Sequence, residues 1–233
     1  MGAIETIAAA VTAWLFAPIA FPLGLATSWA EIGGFVAGAA SVGLAARASI
    51  WNWPVGIVNS AFWLALFVSS GLYADGGLQA VYIALGIYGT WHWLKGGPKK
   101  SNDLPIEGTT PTAAIAVAAV TAAGVALGAW LLATQTNSTV PLLDSETTVV
   151  SLVATYLLAR KNIENWPIWI FGVNLPYIGL YLGKGLALTA SLQLVYIALS
   201  VAGWLRWRAE LDRVAAPGLT GMVAAAVPVE AAL

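Results

Sequence analysis

Seven stretches of the chain read as near-continuous apolar runs, separated by short polar segments: residues 31–46, 54–72, 77–94, 112–134, 147–159, 167–182 and 187–207. A helix that crosses a bilayer needs about 20 mostly apolar residues. The first and fifth runs fall short of it, and the sixth is no longer than the first. Pro54 and Pro167 open the second and sixth runs. There the missing N–H costs nothing, because first-turn N–H groups have no partner within the helix. The pattern predicts an all-α membrane protein of seven transmembrane helices. A polar stretch at 95–111, with three lysines and three prolines, is predicted as a linker, and 112–134 as a helix of its own.

The pattern also repeats. Residues 47–54 read R-A-S-I-W-N-W-P and residues 160–167 read R-K-N-I-E-N-W-P, an offset of 113. Residues 78–85 (L-Q-A-V-Y-I-A-L) return at 192–199 (L-Q-L-V-Y-I-A-L) with an offset of 114 and seven of eight identities. An internal repeat in so apolar a chain is the signature of a transporter built from two halves with its substrate between them.

Charge gives the direction. If the first run ends on the inner side, nine of the ten basic residues fall there, and only Lys184 lies outside. The positive-inside rule then puts the N-terminal end of the first span outside and the C-terminus in the cytoplasm. The two triplets lie four spans apart and so share one orientation. The predicted layout is 3+1+3: a first repeat at 31–94, the linker 95–111, the linking helix 112–134 and a second repeat at 147–208. Residues 1–30 are read as an N-terminal interfacial segment, with 3–21 a helix lying on the outer surface. Residues 209–233 are read as a flexible cytoplasmic tail.

Composition fixes the solvent and removes functions. The chain is 59% hydrophobic and 9% charged, against about 25% charge in a soluble domain. Without cysteine it has no disulfide, iron–sulfur or thiol chemistry, and a net charge of −1 gives no nucleic-acid footprint. Asp75, Asp144, Glu146 and Glu31 are all read at span ends, and no Asp, Glu, Lys or Arg is expected in mid-span. There is no H-E-x-x-H, no aspartyl pair and no lysine in the last span to form a Schiff base. An enzyme is therefore not expected, and no cofactor or metal is. Ion-coupled pumps keep ionisable groups at depth, so passive transport is favoured over proton or sodium coupling. His92 is read as interfacial, as are Trp29, Trp51, Trp91, Trp93, Trp204 and Trp207.

What remains for a substrate is neutral and aromatic. Gln79 and Gln193 are repeat equivalents, each followed three residues on by a tyrosine, Tyr82 and Tyr196. That spacing puts amide and phenol on one helix face. Asn59 and Asn174 add amides on the second and sixth spans. Trp53 and Trp166 belong to the repeated N-W-P motif and are read at the inner exit, with Trp169 one turn further on. Pro176 should kink the sixth span by leaving a carbonyl near Gly172 without its donor. At the offset of 113 its counterpart is Trp63. Together these groups suit a ring bearing a sugar, neutral or weakly cationic. Each has a plain structural alternative, as interhelical glue or an interfacial anchor.

At these residues the chain resembles the PnuC family of bacterial vitamin transporters. The likeness rests on W-N-W-P-V-G-I-V-N (51–59), G-L-Y-A-D-G-G-L-Q-A-V-Y-I-A-L (71–85), Y-G-T-W-H-W (88–93), N-W-P-I-W (165–169) and L-Q-L-V-Y-I-A-L (192–199), and it covers about residues 31–208. Thr90 stands where the family often has an aromatic. The resemblance implies a bacterial inner-membrane facilitator of nicotinamide riboside uptake, feeding NAD biosynthesis, with trapping by a cytoplasmic kinase. It also implies a homotrimer and a fold like that of the SWEET sugar transporters. Relatives that carry thiamin, riboflavin or deoxynucleosides stay open as alternatives, as does a coupled transporter or a non-transporting membrane subunit.

Overall fold

The structure is a computed structural model that describes residues 10, 13–14, 17–21, 25–69, 73–96, 104–136, 138–183 and 187–225. It is helical apart from one short hairpin, in which β1 (Pro18–Phe21) pairs antiparallel with β2 (Leu25–Ser28), Pro18 opposite Ser28. The helices are α1 (Trp29–Ala46), α2 (Asn52–Ser69), α3 (Tyr73–Lys95), α4 (Pro111–Gln135) and α5 (Pro141–Ala159). A broken sixth rod follows: α6 (Asn165–Trp169), a π turn (Ile170–Asn174) and α7 (Leu175–Gly183). The last helix is α8 (Ala187–Ala225). Each predicted span falls on one of these rods.

Three boundaries differ from the sequence reading. Of the helix expected over 3–21, the stretch from Pro18 to Phe21 forms β1 instead, because Pro18 cannot continue a helix; residues 1–9, 11–12 and 15–16 lie outside the described residues. α5 begins at Pro141, six residues earlier than predicted. Pro141 takes the first turn and Asp144 lies within it, where an acid suits the helix dipole. Glu146 is thereby inside the helix rather than before it. Finally, α8 continues through the stretch read as a flexible tail as far as Ala225, with an exposed Arg208–Asp212 pair one turn apart at 3.5 Å. Residues 226–233 lie outside the described residues.

One end of the bundle holds the core. The C-terminal ends of α1, α3 and α5, the N-terminal ends of α2 and α6 and Trp207 of α8 meet there in one buried cluster. Arg47, Lys95, Arg160 and Arg206 stand at this basic end. The repeated R-x-x-I-x-N-W-P motif makes the same turn twice. Ala48 and Lys161 take positive φ values of 51° and 53°, and Asn52 and Asn165 each donate from Nδ2 to the carbonyl three residues back, on Ser49 and Asn162. A non-glycine residue held at positive φ costs on the order of 1–3 kcal/mol, so the turn persists only because the cluster around it fixes it. Trp93 and Trp207, read as interfacial anchors, are 4% and 0% exposed in this cluster. Their helix faces turn inward, and each indole N–H finds a backbone carbonyl.

The linker is pinned to the second turn. Glu107 bridges Asn162 in parallel fashion, with Glu107 N–H donating to Lys161 O and Ile163 N–H donating to Glu107 O. Lys161 Nζ donates to Leu104 O at 2.8 Å and sits 4.6 Å from the Trp93 ring centre. Thr109 donates to Glu164 from both its N–H and its hydroxyl.

Helix neighbours match between the triplets. α1 packs on α2 and α2 on α3; α5 packs on α6 and the π turn, and these with α7 pack on α8. Across the middle, α1 meets α8 and α3 meets α5. α4 lies against α5 through Gly124 and Gly128, where an added Cβ would stand 3.0 Å from Val149 and 2.3 Å from Ser145. Glycines four residues apart let two helices approach closely in a membrane.

The π turn explains the change of offset. One extra residue is taken up where Leu175 N–H bonds Ile170 O, five residues back, and Pro176 then supplies no N–H. Beyond it the offset is 114. Tyr177 corresponds to Trp63 and Tyr181 to Phe67; Tyr177 stacks on Tyr181 at 5.5 Å and Trp63 on Phe67 at 5.6 Å. The counterpart of Trp63 is therefore Tyr177, not Pro176.

Candidate functional site

A cavity of about 390 Å³ lies between the triplets, walled by α1, α2, α3, α5, the broken sixth rod and α8. The structure brings all nine sequence-selected residues to it: Asn59 and Trp53 from α2, Gln79 and Tyr82 from α3, Trp166, Trp169 and Asn174 from the sixth rod, and Gln193 and Tyr196 from α8. Sequence reasoning missed Asn52, Trp63, Tyr177 and the hydroxyls of Ser41, Thr155 and Ser200. Two of these were findable. Asn52 stands in the repeated motif, and Trp63 pairs with Tyr177 once the offset is moved to 114.

The walls are uncharged. No Asp, Glu, Lys, Arg or His is among the lining residues. Glu146, the acid that the longer α5 takes in, lines instead an apolar groove between α4, α5 and the sixth rod. The helix pitch accounts for the polar lining: Gln79 and Tyr82, like Gln193 and Tyr196, fall on one face of α3 and of α8.

Both tyrosines reach across the middle. The Tyr82 hydroxyl hydrogen-bonds the Ser151 hydroxyl on α5. Tyr196 leans on α1, edge-on to Phe35 at 5.5 Å, and a Cβ on Gly38 would stand 2.5 Å from its hydroxyl. The wall is therefore not symmetric, because Ser151 anchors one tyrosine and a glycine makes room for the other. Asn174 is 5% exposed within the π turn. Asn59 Oδ1 is buried without a partner among the described residues. Thr90, by contrast, spends its hydroxyl on Gly86 O of its own helix.

Trp53 and Trp166 form the floor at the basic end. Each packs against a glycine, Gly89 and Gly203, where a Cβ would come within 2.4 and 2.6 Å of the ring. Each meets a second tryptophan edge-on: Trp53 with Trp93 at 5.5 Å and 86°, Trp166 with Trp207 at 5.4 Å and 88°. Their own indole N–H groups have no partner among the described residues.

Such a cavity can hold a ring between aromatic faces and hydroxyls against amides. It offers no nucleophile with a base, and among the described residues no group of three or more His, Cys, Asp or Glu to hold a metal.

The family model described as nicotinamide mononucleotide transporter matches residues 28–209. The riboflavin/roseoflavin transporter RibM of Streptomyces davaonensis is 29% identical over 195 residues, covering 83% of this chain and 91% of that one. The nicotinamide riboside transporter PnuC of Escherichia coli is 26% identical over 201 residues, covering 76% and 82%. The crystal structure of a vitamin B3 transporter PnuC superposes with a TM-score of 0.64 at 23% identity, over 91% of this chain and 94% of that one.

Proposed function

The chain belongs to the nicotinamide mononucleotide transporter family, and on that premise we propose that it carries nicotinamide riboside into a bacterial cell by uncoupled facilitated diffusion. It is a multi-pass transporter of the inner membrane, and the riboside is trapped inside by phosphorylation. The observation that carries the reading is the cavity of amides, hydroxyls and aromatic rings without one charged side chain. A pyridinium ring gains about 0.5–2 kcal/mol from an aromatic face, and ribose hydroxyls match neutral donors and acceptors. A phosphate there would be buried unpaired, which costs many kcal/mol. The riboside, not the mononucleotide of the family's description, is the substrate.

The assembly proposed is two parallel three-helix repeats related by an axis along the membrane normal, as in the SWEET transporters, with α4 as the linking helix. The shared direction of the triplets, the twice-made turn and the reciprocal α1–α8 and α3–α5 contacts support it. The basic end faces the cytoplasm and the N-terminal end of α1 the outside. The protein is a homotrimer in the lipid bilayer.

A second reading is riboflavin, favoured by the likeness to RibM and by the same flat-ring cavity. A thermal-shift panel decides. Nicotinamide riboside at 100 times its Kd should stabilise by about 2.7 kcal/mol, and nicotinamide mononucleotide should not. Comparable stabilisation by the two contradicts the proposal; stabilisation by riboflavin alone installs the second reading.

A further inference from the structure

We propose that Trp93 and Trp207 are the latch of the cytoplasmic gate, each holding the floor of the cavity shut by a hydrogen bond to the opposite half. The proposal rests on the transport reading above, but not on which vitamin is carried.

The bonds are reciprocal. Trp93 of α3 donates its indole N–H to Ala159 O at 3.1 Å, with Leu158 O at 3.3 Å, in the last turn of α5. Trp207 of α8 donates to Ala45 O, in the last turn of α1, at 3.2 Å. The two rings meet at 6.4 Å and 53°, beneath the cavity. A tryptophan at a membrane surface ordinarily turns its N–H to water; these two are buried and spend theirs on the other triplet.

Each acceptor is mechanically tied to the floor. A turn of a few residues joins the last turn of α1 to Trp53, and the same turn joins α5 to Trp166. The carbonyl that holds the opposite tryptophan and the floor tryptophan of the same half therefore move together. Parting the halves at the basic end must break both indole–carbonyl bonds and draw Trp93 away from Trp207, while Trp53 stays with Trp93 and Trp166 with Trp207, each pair within its own half. With the four rings in place the floor is closed; with the bonds broken the floor parts along the line between Trp93 and Trp207. The outer walls, which the Tyr82–Ser151 bond joins higher up, need not open at the same time.

The chain contains no cysteine, so one introduced cysteine reports access without further engineering. Thr155→Cys lies in the cavity wall above the floor, and Arg208→Cys is exposed below it on α8. In inside-out vesicles a membrane-impermeant maleimide should modify Arg208→Cys on the order of a hundredfold faster than Thr155→Cys, the ratio for a gate open about 1% of the time. Equal rates would mean that no floor is closed and would overturn the proposal without any tryptophan variant. Trp93→Phe or Trp207→Phe keeps a ring but removes the N–H. In the Thr155→Cys background each should speed modification from the cytoplasmic side roughly two- to tenfold, the population shift of one lost neutral hydrogen bond. Modification from the outer side should not rise. A merely structural role would lower the melting temperature and leave the sided rates alone; that result, in variants that elute as the parent does, overturns the latch.

Discussion

Gln79 and Gln193 carry the sharpest residue-scale expectation. Both stand in the cavity wall, one from each triplet. Leucine at either position should weaken substrate binding by about 0.5–1.5 kcal/mol, the worth of a neutral hydrogen bond, and leave the melting temperature of the empty protein nearly unchanged. Titration calorimetry with a melting curve checks both; unchanged affinity with earlier melting would make the glutamines interhelical glue. Asn174→Ala should likewise weaken binding. Trp166→Ala should differ, altering transport rate more than affinity and costing about 3–5 kcal/mol of stability, because it empties a buried site against Gly203. The nine lining residues were legible because polar and repeated positions are rare in an apolar chain. Asn52 was passed over because the larger Trp53 beside it drew the reading. Tyr177 was passed over because a single residue of register hid its partner Trp63.

At the scale of elements, the broken sixth rod is where the halves diverge. A π turn is one inserted residue, commonly at a functional position, and here it places Asn174 in the cavity just before Pro176. Pro176→Ala would offer an N–H to the carbonyl of Gly172. It is expected to stabilise the rod by on the order of 1 kcal/mol and to slow transport, as judged by melting temperature and uptake rate; faster uptake in a stabilised variant would separate the π turn from gating. α4 gives a contrasting test. Leucine at Gly128 must displace Ser145, at an overpacking cost of about 1–3 kcal/mol. It should lower the melting temperature and spare affinity, since neither residue lines the cavity. Apolar runs made the spans easy to read. The start of α5 was not, because Asp144 and Glu146 look like loop until the dipole of the first turn is counted. The length of α8 was hidden as well, because Pro217, Gly218 and Gly221 read as helix breakers.

At the scale of the molecule, the repeat was visible in the sequence but its cross-bracing was not. Identity at offsets of 113 and 114 shows that two stretches of the chain are alike; it does not show that Trp93 reaches α5, that Trp207 reaches α1, or that Tyr82 bonds Ser151. Those are contacts between halves, and no spacing along the chain encodes them. They frame a cavity without a carboxylate, lysine or histidine in its lining, the groups on which a driving proton is ordinarily carried, and the proposed uncoupled transport rests on that lining. The most direct test is counterflow of labelled nicotinamide riboside in liposomes containing the purified protein, in sodium-free buffer with a protonophore present. Exchange should persist at the rate seen without the protonophore. Loss of exchange on adding it, or a requirement for sodium, would contradict uncoupled transport.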